Sequence, residues 1–313
     1  MIQSDHNPYP SVALSHPGMS GKNNEDYFAV TAFRFSGKDP TPALLAVLSD
    51  GIGGHRAGET ASEMAVEIIT RQVAKNSGSN PLQALRQAVI AASIEIHTLG
   101  NAALDRQGMG ATCAVVWIIG NRLYTIAVGD SRIYLMRGGS IQQLTTDHTW
   151  IQEALTAGVL RPEETNGHPN AHVIRRYLGS PTPPEGDLRL RLSRAESDAQ
   201  ALANQGLGLH AGDRLLLCSD GLTDLVLDAE ILTGFLSLPM QAAAQALVDL
   251  ANQRGGHDNI TLIAIEIPQS AVKPQRSIAW RKLGLGCMAA LALGIAGAAT
   301  AGLVWFLLRS GAF

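Results

Sequence analysis

Five aspartates stand beside apolar runs of the kind that form buried strands, although they are spread over more than two hundred residues. They are Asp26, Asp50, Asp130, Asp220 and Asp258. A glycine directly follows Asp50 and Asp220, which lets the backbone come close to a bound ion. Carboxylates at the ends of buried strands are expected to converge in space. A site built only from oxygen ligands favours Mg²⁺ or Mn²⁺ over Zn²⁺ or copper.

Apolar runs rich in β-branched residues alternate with helical patterns up to residue 267. Strands are predicted at residues 27–33, 43–48, 111–119, 122–128, 132–137, 214–218 and 259–267. Helices are predicted at residues 60–74, 81–99 and 240–252. The consecutive strands between 111 and 137 form a meander, which indicates antiparallel sheets covered by helices, an α+β fold. No phosphate-binding glycine motif follows a strand, so a nucleotide site has no support.

Charge and cysteine content exclude two further classes of protein. The formal net charge is -3 over 313 residues, without the basic patch that nucleic-acid binding requires. Cys113, Cys218 and Cys287 are far apart and match neither a disulfide framework nor a metal motif, which favours a reducing compartment. Cys113 and Cys218 lie in apolar runs and are expected to be small core residues. The N-terminus lacks the basic start and apolar run of a signal peptide.

The segment at residues 283–308 contains 26 residues without a charge. As a helix it would be about 39 Å long, whereas a bilayer core needs about 20 residues. A transmembrane helix is therefore predicted, with a buried core helix as the alternative. Basic residues are concentrated before the segment, with only one after it: Lys273, Arg276, Arg281, Lys282 and Arg309. The positive-inside rule then predicts a single-pass protein of the inner membrane with residues 1–282 in the cytoplasm.

Residues 269–282 are predicted to be a juxtamembrane linker, because the sequence around them is polar and contains two prolines. The soluble domain is accordingly predicted at residues 1–268. Inside the predicted membrane helix, Gly294, Ala298 and Gly302 recur every four residues and form a face through which two helices could pair. The usual glycine and alanine content of membrane helices explains the same pattern, so an oligomer is left open.

Eight stretches of the soluble part form an ordered set of motifs. They are NNED (23–26), SDGIGGHRAGETAS (49–62), GATCAVV (110–116), VGDSRIYLMRGG (128–139), LTTDHTW (144–150), VIRRYLG (173–179), GDRLLLCSDGLTDLV (212–226) and GGHDNITLIAIEI (255–267). Together they resemble the metal-dependent serine/threonine protein phosphatases of type 2C, the PPM family, in its bacterial form. The resemblance covers nearly all of residues 11–267 and does not depend on any single motif.

The resemblance implies a four-layer α-β-β-α sandwich, in which two antiparallel sheets are flanked by helices. It also implies a mobile flap at about 148–187 and a binuclear Mn²⁺ or Mg²⁺ centre. The residues implied to hold metal are Glu25, Asp26, Asp50, Gly51, Asp130, Asp220 and Asp258. Among them Asp50, Asp220 and Asp258 are the residues on which catalysis is expected to depend.

The roles differ within this set. Asp50 is implied to bridge both ions, with the carbonyl of Gly51 as a further ligand, while Asp220 and Asp258 hold one ion. Glu25 and Asp26 support the other ion, partly through water. Asp130 together with Asp220 corresponds to the third ion site of bacterial relatives.

The expected chemistry follows from the ions. A water shared by two divalent ions has a lowered pKa and is directed at phosphorus, and the ions neutralise the phosphoryl oxygens during in-line displacement. No nucleophilic side chain is required. Cys218 is not followed by an arginine loop, so a cysteine-phosphatase mechanism is disfavoured.

Two positions depart from the family pattern. Many members carry a phosphate-binding arginine five residues before the NNED aspartate, where this sequence has Gly21, with Lys22 beside it. Lys22 is therefore the candidate for substrate binding, as a point charge rather than a bidentate fork. Ile52 stands where animal relatives have a histidine, although bacterial members usually have an apolar residue there.

Several histidines and arginines in the motifs are interpreted as structural. His55, His148 and His172 are expected to be structural or surface side chains, and His257 to shape the turn before Asp258. Two motif arginines, Arg132 and Arg176, are expected to form ion pairs.

The predicted function is hydrolysis of phosphoserine and phosphothreonine on proteins, opposing a serine/threonine kinase at the membrane. One alternative is a catalytically weak or inactive phosphatase fold that acts as a binding or sensor module, for which Gly21 is the only support. Another is a regulator phosphatase that acts on an anti-sigma antagonist.

Overall fold

The computed structural model describes residues 1–35, 39, 41–53, 56–76, 78–165 and 167–269. The chain divides into two compact units, Met1–Val272 and Lys273–Phe313. The predicted membrane helix, and the predicted linker beyond residue 269, lie outside the described residues. Within the described ranges, no helix has the length and apolar character needed to cross a bilayer.

Two antiparallel sheets form the centre of the domain. The first has six strands in the order β1 (Ile2–Gln3), β3 (Tyr27–Arg34), β4 (Pro42–Ser49), β7 (Cys113–Ile119), β8 (Arg122–Val128) and β11 (Leu207–Gly208). The second has five in the order β10 (Ser140–Gln143), β9 (Arg132–Arg137), β12 (Arg214–Cys218), β13 (Ile260–Glu266) and β2 (Ser11–His16). Two short strands, β5 (Gly51–Ile52) and β6 (Gly110–Ala111), pair separately. The predicted α+β fold with two antiparallel sheets is confirmed.

Seven α-helices lie in the described part of the chain. They are α1 (Arg56–Ala74), α2 (Pro81–Gly100), α3 (Trp150–Thr156), α4 (Asp198–Ala203), α5 (Asp220–Thr223), α6 (Asp228–Ser237) and α7 (Met240–Gln253). The second begins at Pro81 as predicted, and the Asn80 side chain accepts a hydrogen bond from the backbone N–H of Gln83 at 3.2 Å. The first begins one turn earlier than predicted, at Arg56.

Alternating side chains sort the domain into four layers. In β4, Leu45 and Val47 belong to a core cluster with α1 and α2, whereas Leu44 and Leu48 belong to a second cluster with β12 and β13. A third cluster joins the outer face of the second sheet to α6 and α7. A strand that is buried on both faces reads as a continuous apolar run. The observed order is therefore helices, sheet, sheet and helices.

The register brings the aspartates to one end of this sandwich. In the first sheet Tyr27 pairs with Ser49, so the start of β3 and the end of β4 lie side by side. In the second sheet Cys218 pairs with both Arg132 and Leu262, which aligns the end of β12 with the starts of β9 and β13. The segments before β3 and β13 and after β4, β8 and β12 therefore meet at the same edge.

The predicted strand 111–119 is interrupted at Thr112. Ala111 pairs with Gly51 in the small sheet, and the Thr112 N–H donates to the carbonyl of Asp50 at 2.8 Å. The break diverts the backbone toward the loop after β4. Both partial strands remain buried, which is why the sequence pattern did not show the interruption.

The segment 148–187, expected to be a flap, contains α3 and a 3₁₀ helix at Pro162–Glu164. Isolated bridges join Thr149 to Ile174, Ala111 to Leu178 and Ala127 to Asp187. The first bridge joins two parts of the segment to each other, and the other two attach its C-terminal part to the sandwich.

Candidate metal centre

The structure brings all five aspartates together. The pKa of Asp50 is raised well above its ordinary value, first by burial and then by the charges of Asp26, Asp220, Asp130 and Asp258. Burial is also the main cause that raises the pKa of Asp26 to about 7 and that of Asp220 to about 6. Like charges at short range destabilise the ionised form of each carboxyl, and a cation among them would remove this cost.

Three of these carboxylates have an oxygen without a protein partner. Asp26 Oδ1, Asp130 Oδ1 and Asp220 Oδ1 are buried and have no hydrogen-bond partner among the described residues. Asp26 and Asp130 are 7% and 6% exposed. Buried polar oxygens are normally paired, and a cluster of unpaired carboxylate oxygens is the donor set that hard divalent cations bind. The residues present therefore fit Mg²⁺ or Mn²⁺.

Asp26 is fixed from the second sheet. The Ser219 hydroxyl donates to Asp26 Oδ2 at 2.8 Å, and the Thr261 N–H donates to the Ser219 oxygen at 3.0 Å. Ser219 is fully buried. Sequence reasoning did not assign a role to Ser219, although its place directly before Asp220 is the available signal.

Asp50 is fixed by Thr112. The Asp50 N–H donates to Thr112 Oγ1 at 2.9 Å, and the Ser49 hydroxyl donates to the Thr112 carbonyl at 2.7 Å. Thr112 Oγ1 also lies 2.7 Å from Ser131 Oγ, which follows Asp130. The break between β6 and β7 thus links the loops that carry Asp50 and Asp130.

Asn259 joins the NNED loop to Asp258. Its Oδ1 accepts from the Glu25 N–H at 2.7 Å, and its Nδ2 donates to the carbonyls of Pro17 and Asn23 at 3.1 Å. A Cβ on Gly221 would lie 2.0 Å from the Asn259 carbonyl, so only glycine fits beside Asp220. The sequence analysis had identified the neighbouring Asp258 but not this amide.

Glu25 and Gly51 meet at the start of α1. A Cβ on Gly51 would lie 2.3 Å from the Gly58 carbonyl and 2.8 Å from that of Glu25. A Cβ on Gly58 would lie 1.9 Å from Glu25 Oε2. Glycine at both positions therefore lets Gly58 lie against the Glu25 carboxylate and Gly51 against the carbonyls of Gly58 and Glu25; the predicted role of the Gly51 carbonyl as a metal ligand stays a prediction.

A cavity of about 460 Å³ opens over the cluster. It is lined by Gly21, Lys22, Asn23, Glu25, Asp50, Gly51, Asp258 and Asn259. Lys22 is exposed at this cavity, where an incoming anion would meet it. Gly21 has a φ of +74° and open space around it, so a residue with a side chain would be strained there.

The motif histidines and arginines have mixed outcomes. His148 is buried and structural, since its Nδ1 accepts from the Gly129 N–H at 3.1 Å and its Nε2 lies 3.3 Å from Asp187 Oδ2. Arg132 pairs with Asp147 at 2.7 Å, as expected. The expected ion pair of Arg176 is not formed with any described residue.

The other motif histidines are His55, His172 and His257. His55 lies outside the described residues. His172 and His257 both face Asp224, at 3.4 Å and 3.9 Å. Asp224 had no role in the sequence analysis.

Clustered carboxylates at the edge of a sandwich, beneath an open cavity lined by one lysine side chain, are typical of a metal-dependent hydrolase of anionic substrates. Residues 18–254 match the protein phosphatase 2C family, and the chain belongs to that family. It therefore contains a protein phosphatase domain of type 2C, whose unpaired carboxylate oxygens fit Mn²⁺ or Mg²⁺.

Individual relatives agree with this assignment. The chain is 35% identical to the serine/threonine protein phosphatase PstP of Mycobacterium tuberculosis over 256 residues, 82% of this chain and 44% of PstP. It thus spans less than half the length of that curated relative. The Streptococcus agalactiae serine/threonine phosphatase gives a TM-score of 0.71 at 32% identity, over 83% of this chain and 99% of that one. The catalytic domain of PstP in complex with two manganese ions gives 0.67 at 33% identity, over 83% and 98%.

Proposed function

We propose that the whole chain is a metal-dependent phosphatase that removes phosphate from phosphoserine and phosphothreonine on proteins and so opposes a serine/threonine kinase. The cluster of five aspartates beneath an open cavity, two of them buried and three half-buried, is the observation that carries this proposal. The cavity has a volume of about 460 Å³ and is lined by two glycines, one lysine and several carboxylates, which suits a phosphorylated side chain presented by a protein surface.

The proposed ligand roles follow the positions of the side chains. Asp50 has the other four aspartates as charged neighbours and would hold both ions, with the Gly51 carbonyl beside it. Asp220 and Asp258 would hold one ion from the second sheet. Glu25 and Asp26 would support the other ion, and Asp130 with Asp220 would hold a third, since the charge of Asp220, after burial, raises the pKa of Asp130.

Bound divalent ions supply an acidified water and neutralise charge on the phosphoryl group. The protein's own residues hold this arrangement and receive the substrate. Ser219 and Asn259 fix the carboxylate loops, and Lys22 attracts and orients the phosphate as a point charge. Cys218 is not available as a nucleophile, because burial raises its pKa to about 12.

Phosphate release from a phosphothreonine peptide by the purified full chain tests the proposal. We expect turnover with Mn²⁺, none with EDTA, and little on the matching phosphotyrosine peptide. Asp50→Asn and Asp258→Asn should each abolish turnover, whereas Asp105→Asn, at an exposed carboxyl, should not. Turnover that survives Asp50→Asn would refute the metal mechanism, and peptide binding without release would favour a binding module.

We also propose that residues 283–308 anchor the enzyme in the inner membrane, with the catalytic domain in the cytoplasm. The support is the uncharged length of the segment and the excess of basic residues before it. Carbonate-washed membranes should retain the full chain and lose a chain truncated after Val272. Equal release of both chains would contradict the anchor. Cross-linking of Gly294→Leu against the unaltered chain tests the pairing of membrane helices.

A further inference from the structure

The loop at residues 17–23 is fixed against one wall of the cavity. The Asn259 side chain donates hydrogen bonds to the carbonyls of the first and last residues of this loop, each at 3.1 Å. A Cβ on Gly18 would lie 2.2 Å from the Asp258 carbonyl, so the loop is in backbone contact with the segment that carries Asp258. The loop is therefore a built part of the cavity rim.

Met19 lies in this loop with a fixed backbone and an exposed side chain. Its N–H donates to the Gly256 carbonyl at 2.6 Å, and a Cβ on Gly256 would lie 2.9 Å from Met19 Cγ. The Met19 side chain is nevertheless 64% exposed. Lys22 follows three residues later and lines the cavity. A large apolar side chain is thus presented to solvent at the rim, beside the lysine proposed to meet the phosphate.

A substrate peptide has to pass over this rim. The side chains of phosphoserine and phosphothreonine are short, so the phosphate reaches the aspartates only when the peptide backbone lies along the mouth of the cavity. Among the described residues that line the cavity, Lys22 is the only basic side chain, and the phosphate itself would occupy it. An acidic neighbour in the peptide would lack a cation among these residues, whereas an apolar neighbour would cover Met19.

We propose that Met19 is a specificity-determining residue that favours protein substrates with an apolar side chain next to the phosphorylated serine or threonine. Such a contact removes apolar surface of both side chains from water. Methionine is unbranched and polarizable and adapts to partners of different shape, so leucine, isoleucine and valine are all accepted. The inference rests on the proposed function, because it takes Lys22 as the group that meets the phosphate.

Kinetics of the Mn²⁺-loaded full chain on two matched phosphothreonine peptides test the inference. Both residues that flank the phosphothreonine are leucine in one peptide and glutamine in the other. We expect kcat/KM to be about five-fold higher for the leucine peptide, below the roughly ten-fold or more that one methylene group gives in a closed pocket, because Met19 lies on an open surface. Met19→Gln should remove the preference and Met19→Leu should keep it, while Leu104→Gln, at a 90% exposed side chain that does not line the cavity, should not alter it. Equal kcat/KM for both peptides in the unaltered chain, or a preference that survives Met19→Gln, would overturn the inference.

Methyl NMR of the full chain, labelled with ¹³C at the methionine methyl groups, supplies a readout that does not need turnover. The Met19 signal is assigned by its absence in Met19→Gln. A non-hydrolysable phosphonate analogue of the leucine peptide should shift this signal more than the glutamine analogue does, and the signal of the buried Met136 should stay in place. An unshifted Met19 signal would overturn the inference. Turnover without a leucine preference and without this shift refutes only the role of Met19, whereas the shift without turnover refutes only the proposed function.

Discussion

Neutralising Asp26 should stabilise the metal-free protein at neutral pH, although it removes a proposed metal ligand. Asp26 is buried beside other carboxylates, and its pKa is raised from 3.8 to about 7, mainly by burial. Each pH unit corresponds to about 1.4 kcal/mol, so the ionised group costs the folded state at most about 4 kcal/mol. In Asp26→Asn the remaining oxygen can still accept from Ser219.

The sign follows from the raised pKa. Below about pH 4 Asp26 is protonated in both the folded and unfolded protein, and its stabilising contribution is fully present. As pH rises through about 7 this contribution is lost, because the folded protein must either keep the proton or bury the charge. Asp26→Asn has no such loss, so its advantage should grow between pH 4 and pH 8.

Urea unfolding in EDTA at several pH values measures this effect. We expect Asp26→Asn to be more stable than the unaltered protein by about 2 kcal/mol at pH 8, since burial of the new amide offsets part of the gain. At pH 3.5 the electrostatic gain is absent and the cost of burying the amide remains, so Asp26→Asn should be less stable than the unaltered protein by about 2 kcal/mol. Asp105→Asn, at an exposed carboxyl, serves as the control and should show no such divergence.

With saturating Mn²⁺ the unaltered protein should become more stable than Asp26→Asn. An ion present at about 100 times its dissociation constant stabilises a protein by about 2.7 kcal/mol, and Asp26→Asn should gain less of this. A stability difference between the two proteins that does not change with pH would refute the reasoning, and so would a less stable Asp26→Asn at pH 8 in EDTA.

Three further perturbations address other parts of the domain. Lys22→Ala should raise KM more than it lowers kcat, with KM largely restored in Lys22→Arg; unchanged steady-state kinetics would exclude Lys22 from the site. Burial alone would raise the pKa of Asp187, but hydrogen bonds from His148 and Arg189 outweigh it and hold this pKa well below its ordinary value. Asp187→Asn should therefore lower the free energy of unfolding by about 2–3 kcal/mol at pH 7. In urea unfolding, the difference in stability between the variant and the unaltered chain should disappear below about pH 4, where the stabilisation by Asp187 is lost; a difference that does not change with pH would count against the ion pair. Gly221→Ala should cost about 1–3 kcal/mol in thermal unfolding and weaken Mn²⁺ binding, because its Cβ would meet a backbone carbonyl at 2.0 Å; Gly234→Ala, with its nearest neighbour at 3.6 Å, is the control and should be at least as stable as the unaltered chain.

The buried strands could be predicted closely from the sequence. The strands predicted at 122–128, 132–137 and 214–218 have the observed bounds of β8, β9 and β12. Their apolar, β-branched runs are bounded by glycine or polar residues, so local pattern and burial agree. The arrangement into two packed sheets came from the resemblance to a family and not from periodicity.

Elements with weaker local patterns were missed. Ser11–His16 forms the edge strand β2, but its residues are mostly half-buried and give no continuous apolar run. The short helix at Asp220–Thr223 follows a strand directly and is too brief for a helical period. These elements depend on contacts with distant parts of the chain, which a local window does not contain.

The aspartates of the site could be predicted from the sequence, whereas the side chains that hold them in place could not. The motif aspartates could be named from the sequence because each follows or precedes a strand. Ser219, Thr112 and Asn259 act through hydrogen bonds to residues far away in the sequence, the longest separation being 242 residues. The pairing of His172 with Asp224 likewise exists only once the flap is folded beside α5.

Both sheets contribute carboxylates to the ion-binding cluster. Asp26, Asp50 and Asp130 flank strands of the first sheet, whereas Asp220 and Asp258 flank strands of the second. An ion bound by aspartates from both sheets would link the two layers, so its radius would limit how far the layers can separate. A larger residue at Ala46, in the core between the sheets, should therefore change the metal selectivity of the distant ion-binding cluster.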